Sequence, residues 1–155
     1  MNFIAVGNST ATAGNAIPNN GFWPDIDPAD FRAAQRIDST VTATRVEQSL
    51  LAAVIDANNQ LQAWQRAQIA AGHVTIDDVP VPSWQPSGMF TALYLRAVYA
   101  LAKASLIERY RDYDSSGDGV TRADALELTI DDYRRDAAWA LADIVGRRRT
   151  TVELI

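Results

Sequence analysis

Cysteine is absent from this chain, and histidine occurs once, as His73. The first absence excludes disulfides, thiol nucleophiles and thiolate metal sites. The second leaves a Ser-His-Asp arrangement a single base, and no Gly-x-Ser-x-Gly elbow accompanies it. Paired Glu-x-x-His motifs of a di-iron bundle are missing, and so is any glycine-rich phosphate loop. No uninterrupted run of about 18 apolar residues occurs, so no membrane span is expected. The opening Met1-Asn2-Phe3-Ile4-Ala5-Val6 has no basic flank and is too short for a signal peptide. Basic charge is scarce too: 14 Lys and Arg stand against 19 Asp and Glu, a net charge of −5. Duplex binding needs clustered cations, so this balance points away from it. His73 follows Gly72 and reads as a loop residue or a helix C-terminal cap.

What is present is helical pattern. A chain of 155 residues, 48% hydrophobic, fits one domain with a real core. Residues 1–21 carry no charge and are rich in Ala, Asn, Thr, Ser and Gly. Such a segment buries too little to order alone, so it should lie on a neighbouring subunit or on its own body. Phe22-Trp23-Pro24 follows as a compact aromatic anchor. Asp27 reads as an N-cap with Pro28 at the first position of a short helix to about Arg36, packed as a lid.

A first long helix should begin near Thr42 or Thr44, where Thr44-Arg45-Val46-Glu47 matches a capping box. Val46, Leu50, Val54, Ala57, Leu61 and Trp64 recur at 4, 4, 3, 4 and 3, one apolar stripe. Gly72 is the natural stop. The connector from Gly72 to Ser87 contains Pro80, Pro82 and Pro86 and should be loop with a little extended structure. Trp84 within it either anchors the loop or touches a partner.

The second long helix starts after Ser87, with Met89 to Tyr110 free of Gly and Pro. Phe90, Tyr94, Ala97, Leu101 and Ala104 form one stripe, and Leu93, Ala100 and Ile107 lie beside it. An apolar arc this wide predicts contact on two sides. The third helix runs from about Thr121 to Val145, with Leu126, Ile130, Tyr133, Ala137, Leu141 and Ile144 as its buried stripe. Gly146 ends it. The tail Arg147-Arg148-Arg149-Thr150-Thr151-Val152-Glu153-Leu154-Ile155 is too basic and β-branched to continue, and reads as an extended arm or edge strand. The expected fold is therefore all-α: three long helices and a short N-terminal helix in a bundle. The organisation is an N-terminal arm (1–21), a helical body (22–146) and a C-terminal arm (147–155).

Two constellations invite metal chemistry. Asp114-Ser115-Ser116-Gly117-Asp118-Gly119 imitates the start of an EF-hand loop. Its twelfth position is Ala125 where a bidentate Glu is needed, and Glu127 lies two residues too far on. Polar turns between helices are rich in Asp, Ser and Gly for conformational reasons alone. A calcium-binding helical module using Asp114–Gly119 is the alternative function. Asp124, Glu127 and Asp131 share a helical face, a pattern that more often marks a solvated face near a helix N-terminus. No metal or cofactor is expected. Three arginines at 147–149 suit an acidic partner surface or nucleic acid, with no stacking aromatics beside them.

Five blocks then carry a resemblance. They are Phe22-Trp23-Pro24-Asp25-Ile26-Asp27-Pro28, Gln68-Ile69-Ala70-Ala71-Gly72, Tyr94-Leu95-Arg96-Ala97-Val98, Ser105-Leu106-Ile107-Glu108-Arg109-Tyr110-Arg111 and Asp131-Asp132-Tyr133-Arg134-Arg135-Asp136. In this order they resemble the head completion (head stabilisation) proteins of contractile-tailed temperate phages, over roughly residues 22–155. The resemblance implies a structural head–tail connector of the virion neck rather than an enzyme. It implies a homo-oligomeric ring, dodecameric like the portal, that binds the portal, stabilises the DNA-filled head and docks a tail-side neck or tail terminator protein. Genomic DNA would pass through its centre without specific binding. Assembly in the host cytoplasm and no membrane partner are expected. On this reading Phe22, Trp23, Pro24, Trp84, Arg147, Arg148 and Arg149 are candidate partner contacts. Asp124, Glu127, Asp131 and Asp132 are candidate channel-facing acids.

Overall fold

The computed structural model describes residues 15–111 and 119–147, with side chains outside 110–129. The order is α1 (Pro28–Gln35), α2 (Ala43–Ala70), a 3-10 turn (Ile76–Asp78), α3 (Met89–Arg111) and α4 (Gly119–Ile144). The all-α expectation is met, with no named strand among the described residues; one isolated bridge joins Ile17 to Ile26.

Local chemistry explains the boundaries. Asp27 caps α1 by accepting from the Ala29 N–H at 2.7 Å, and Pro28 occupies the first turn. Helix α2 starts two residues earlier than the Thr44 capping box proposes: Thr42 is the N-cap, and its hydroxyl accepts from Arg45 N. At the far end His73 N bonds to Gln68 O and Gly72 N to Ile69 O, the paired bonds of a Schellman motif. Gly72 sits at φ +98°, which a residue with a Cβ adopts only under strain. His73, half-buried, thus serves the helix end through its backbone.

The connector is mainly loop, as expected, but its regular piece is a 3-10 turn rather than extended structure. Thr75 and Asp78 form a reciprocal cap around a 3-10 turn, and the bonds from Thr75 hold the Asp78 carboxyl below its ordinary pKa. Ile76 is buried there, and its N–H donates to Phe22 O at 2.9 Å. Asp77 accepts from the Thr91 hydroxyl, so the turn is fastened to α3. Helix α4 begins at Gly119, before the expected Thr121.

Helix α3 is the centre of the bundle, flanked by α2 and α4. Its antiparallel relation to α2 follows from Ser49 bonding to Ala102 O while Asn58 meets Tyr94. A wide arc of α3 is buried: Tyr94, Val98, Ala102 and Leu106 form one i, i+4 row, and Ala97, Ala100 and Ala104 lie beside it. The first row includes residues outside the expected stripe. By length and mean hydropathy alone, Met89–Arg109 also meets the size of a membrane span. Its packing between α2 and α4 accounts for that composition.

Residues 15–26 fold back as a strap over α2 and α3. Asn19, Tyr94 and Asn58 close a ring of hydrogen bonds: Asn19 Nδ2 donates to Tyr94 Oη at 2.8 Å, Tyr94 Oη to Asn58 Oδ1 at 2.7 Å, and Asn58 Nδ2 to Asn19 Oδ1 at 2.9 Å. Burial pushes the Tyr94 phenol up to about 12, against the opposing effect of its bond to Asn19. Of the two supports open to the arm, residues 15–21 use their own body. Residues 1–14 lie outside those described.

Candidate functional site

The aromatic anchor is used inside the chain. Phe22 and Trp23 are 3% and 2% exposed. Trp23 is sandwiched between Tyr94, with centroids 4.5 Å apart, and Trp64, at 5.7 Å. Its indole N–H donates to Gln65 Oε1 at 2.9 Å, and Asn20 turns the chain into position by accepting from Phe22 N and Trp23 N. These two rings, expected at a partner surface, are core residues that pin the strap; their side chains are not available outside it. Pro24 is half-buried beside them.

Trp84 is the opposite case. It is 80% exposed, the most exposed of the large apolar side chains described. It stands on a groove of about 480 Å³ with Pro82, Met89, Leu93, Asp143 and Arg147. The groove exists because α3 and α4 are antiparallel: the first turns of α3 meet the last turn of α4, and the connector passes over both. Gly146, at φ +71°, turns the chain out of α4 at the groove's edge, and Arg147 there is exposed. Arg148 and Arg149 fall outside the described residues.

The outer face of α3 and α4 carries most of the described ion pairs. Arg96 pairs with Asp136, and that bond raises the Arg96 pKa further. Arg134 holds both oxygens of Glu108 at 2.8 Å. Arg135 reaches Asp132 at 2.5 Å and also lies over the Trp139 ring, 5.2 Å from its centroid. Asp132 therefore faces a cation as well as solvent, and Asp131 beside it is exposed. The side chains of Asp124 and Glu127 lie outside the description. Where it can be described, this face is a mosaic of both signs rather than an acidic band.

A surface missed by sequence reasoning lies on α2. Leu51, Ile55 and Ile69 are each about half exposed, and at 100° per residue they fall on one side of the helix. The spacing of 4 between Leu51 and Ile55, with Ile69 about four turns further on, was a usable signal, masked by the stronger stripe through Val46 and Leu61. No group of three or more His, Asp or Glu able to hold a metal occurs among the described residues. Most of the calcium-like turn, Asp114–Asp118, lies outside them.

The arrangement is an aromatic core closed by a strap, with grooves and charged faces turned outward. Residues 17–155 match the model of the phage head completion protein (GPL) family, and the chain belongs to that family. It is 38% identical over 139 residues to the head completion/stabilization protein of Escherichia phage P2, covering 90% of this chain and 82% of that one. It is 24% identical over 148 residues to the probable head completion/stabilization protein of Haemophilus phage HP1, covering 90% and 91%. No solved structure matches it significantly. Membership makes the chain a structural component of a phage particle, and the expected family is confirmed.

Proposed function

We propose that this head completion protein works as a ring on the portal vertex, sealing the DNA-filled head and presenting a docking surface for the tail side of the neck. The observation that carries the reading is the family match itself, which spans the strap, the whole helical body and the arm to residue 155. Twelve copies would follow the portal's symmetry. A ring needs one face of each copy to fit a different face of the next. The exposed stripe on α2 and the groove at Trp84 lie on different elements, so the body offers more than one apolar contact face.

DNA would pass the ring without being held. A net charge of −5 and the paired charges along α3 and α4 offer phosphate no cationic cluster on the described faces. Helix α4, with Asp124, Glu127, Asp131 and Asp132, is the channel-facing element in this proposal. No catalytic step is assigned to any residue.

Complementation tests the function. Heads filled in the absence of this chain should lose DNA and fail to join tails, and adding purified protein should restore both. Stable, tail-competent heads formed without it would contradict the proposal.

A further inference from the structure

The Trp84 groove and the segment beyond Arg147 belong to one chain, and their chemistry is complementary. The groove offers an apolar floor from Pro82, Met89 and Leu93, an exposed indole on its rim, and one charge of each sign from Asp143 and Arg147. The segment Thr150-Thr151-Val152-Glu153-Leu154-Ile155 is rich in β-branched residues and favours an extended strand. In such a strand Val152 and Leu154 fall on one side and Glu153 on the other. Two apolar side chains then enter the groove while Glu153 stays on the solvent side of the strand. The arginines ahead of them bring positive charge toward Asp143.

Reach decides whose groove is filled. A compact space of 480 Å³ is only about 10 Å across. The chain leaves from its rim, at Arg147. Adjacent arginines repel and the threonines are β-branched, so residues 148–151 favour extension. Five extended residues carry Val152 about 16 Å from Arg147. An extended run of that length overshoots a groove about 10 Å across and reaches toward a neighbour's.

Accordingly, we infer that the Trp84 groove is the joint between neighbouring copies: Val152 and Leu154 of one chain dock against Trp84, Met89 and Leu93 of the next. The inference rests on the ring reading above and names its interface. A segment of one copy seated in the groove of the next makes a head-to-tail contact, which closes into a ring when the rotation per copy allows.

The absence of cysteine gives a clean test. Trp84→Cys and Leu154→Cys are introduced together in the full chain, which is then oxidised in solution and on head vertices. Trp84 is so exposed that its replacement should leave the melting temperature unchanged, and this is checked first. The expected result is a ladder of covalent oligomers extending past dimer, absent from either single variant. A mixture of the two single variants should give a heterodimer and stop there. A link formed within one chain would overturn the inference, because the segment then covers its own groove. No link, in particles where a ring of this protein is seen, would overturn it and leave the ring reading intact. A ladder without any ring on the vertex would support the joint and contradict the ring.

Discussion

Tyr94 ties the strap, α2 and α3 together. It is fully buried, stacks on Trp23, and closes the hydrogen-bonded ring with Asn19 and Asn58. Removing only its hydroxyl leaves two amide side chains short of a partner in a half-buried place. Tyr94→Phe should therefore cost about 1–3 kcal/mol in urea unfolding. Its acid–base behaviour adds a second expectation. The folded pKa, about 12, lies above the ordinary tyrosine value of 10, so the folded state holds the proton longer. The associated stability is fully present below pH 10 and is lost as pH rises from 10 to 12, at most about 3 kcal/mol. Stability measured across that window should fall less steeply in Tyr94→Phe than in the parent. Trp23 completes the residue scale. Truncating it to alanine opens a cavity between Tyr94 and Trp64 and should cost about 3–5 kcal/mol. The strap would come loose, which hydrogen exchange at Ile17 and Ile26, the partners of its bridge, would report.

Among the elements, helix ends and helix contacts make separate demands. Gly72 has open space where a Cβ would stand, so any cost of Gly72→Ala is conformational. At φ +98° that cost should be about 1–2 kcal/mol, read as a lower melting temperature with no loss of helix content. The ion pairs between α3 and α4 should matter far less. Arg96 and Asp136 are both well exposed, and a double-mutant cycle should give no more than about 1 kcal/mol. The long helices were readable because their stripes repeat with helical period: Val46 to Leu61 are buried as the spacing requires, as are Ile130, Ala137, Leu141 and Ile144, with Tyr133 half-buried. The details needed geometry. Thr42 and Thr44 are equally good caps on paper, and only the path from Val41 selects the first. Val98 and Ala102 were unremarkable in sequence because small residues look alike until α2 lies against them through Ser49. Trp23 and Trp84 are chemically identical, yet one is core and one is surface. Nothing local to either residue distinguishes them, since the difference is whether Tyr94 and Trp64 arrive to sandwich the ring. Charge pairing along α3 and α4 was hidden for the same reason: Glu108 and Arg134 are 26 residues apart and meet only after the antiparallel register is set.

Taken whole, the molecule is a helical bundle closed by an N-terminal strap. The family shows that it belongs to a phage particle; the ring at the portal is our reading of how it serves there. On that reading, the α4 face toward the channel must let DNA slide. Changing Asp124, Glu127, Asp131 and Asp132 to lysine shifts each site by two charges and creates a cationic cluster on that helix. Particles carrying this variant should assemble normally but retain or eject DNA abnormally, with the defect easing as salt rises. Normal infectivity would remove α4 from the channel. The most direct test of the central claim is imaging of the portal vertex in filled, tailless heads bearing this protein. The account predicts a closed ring of copies in contact with the portal, with helical bodies surrounding the DNA path. A protein that is a strict monomer in solution and occupies the particle without forming such a ring would contradict it.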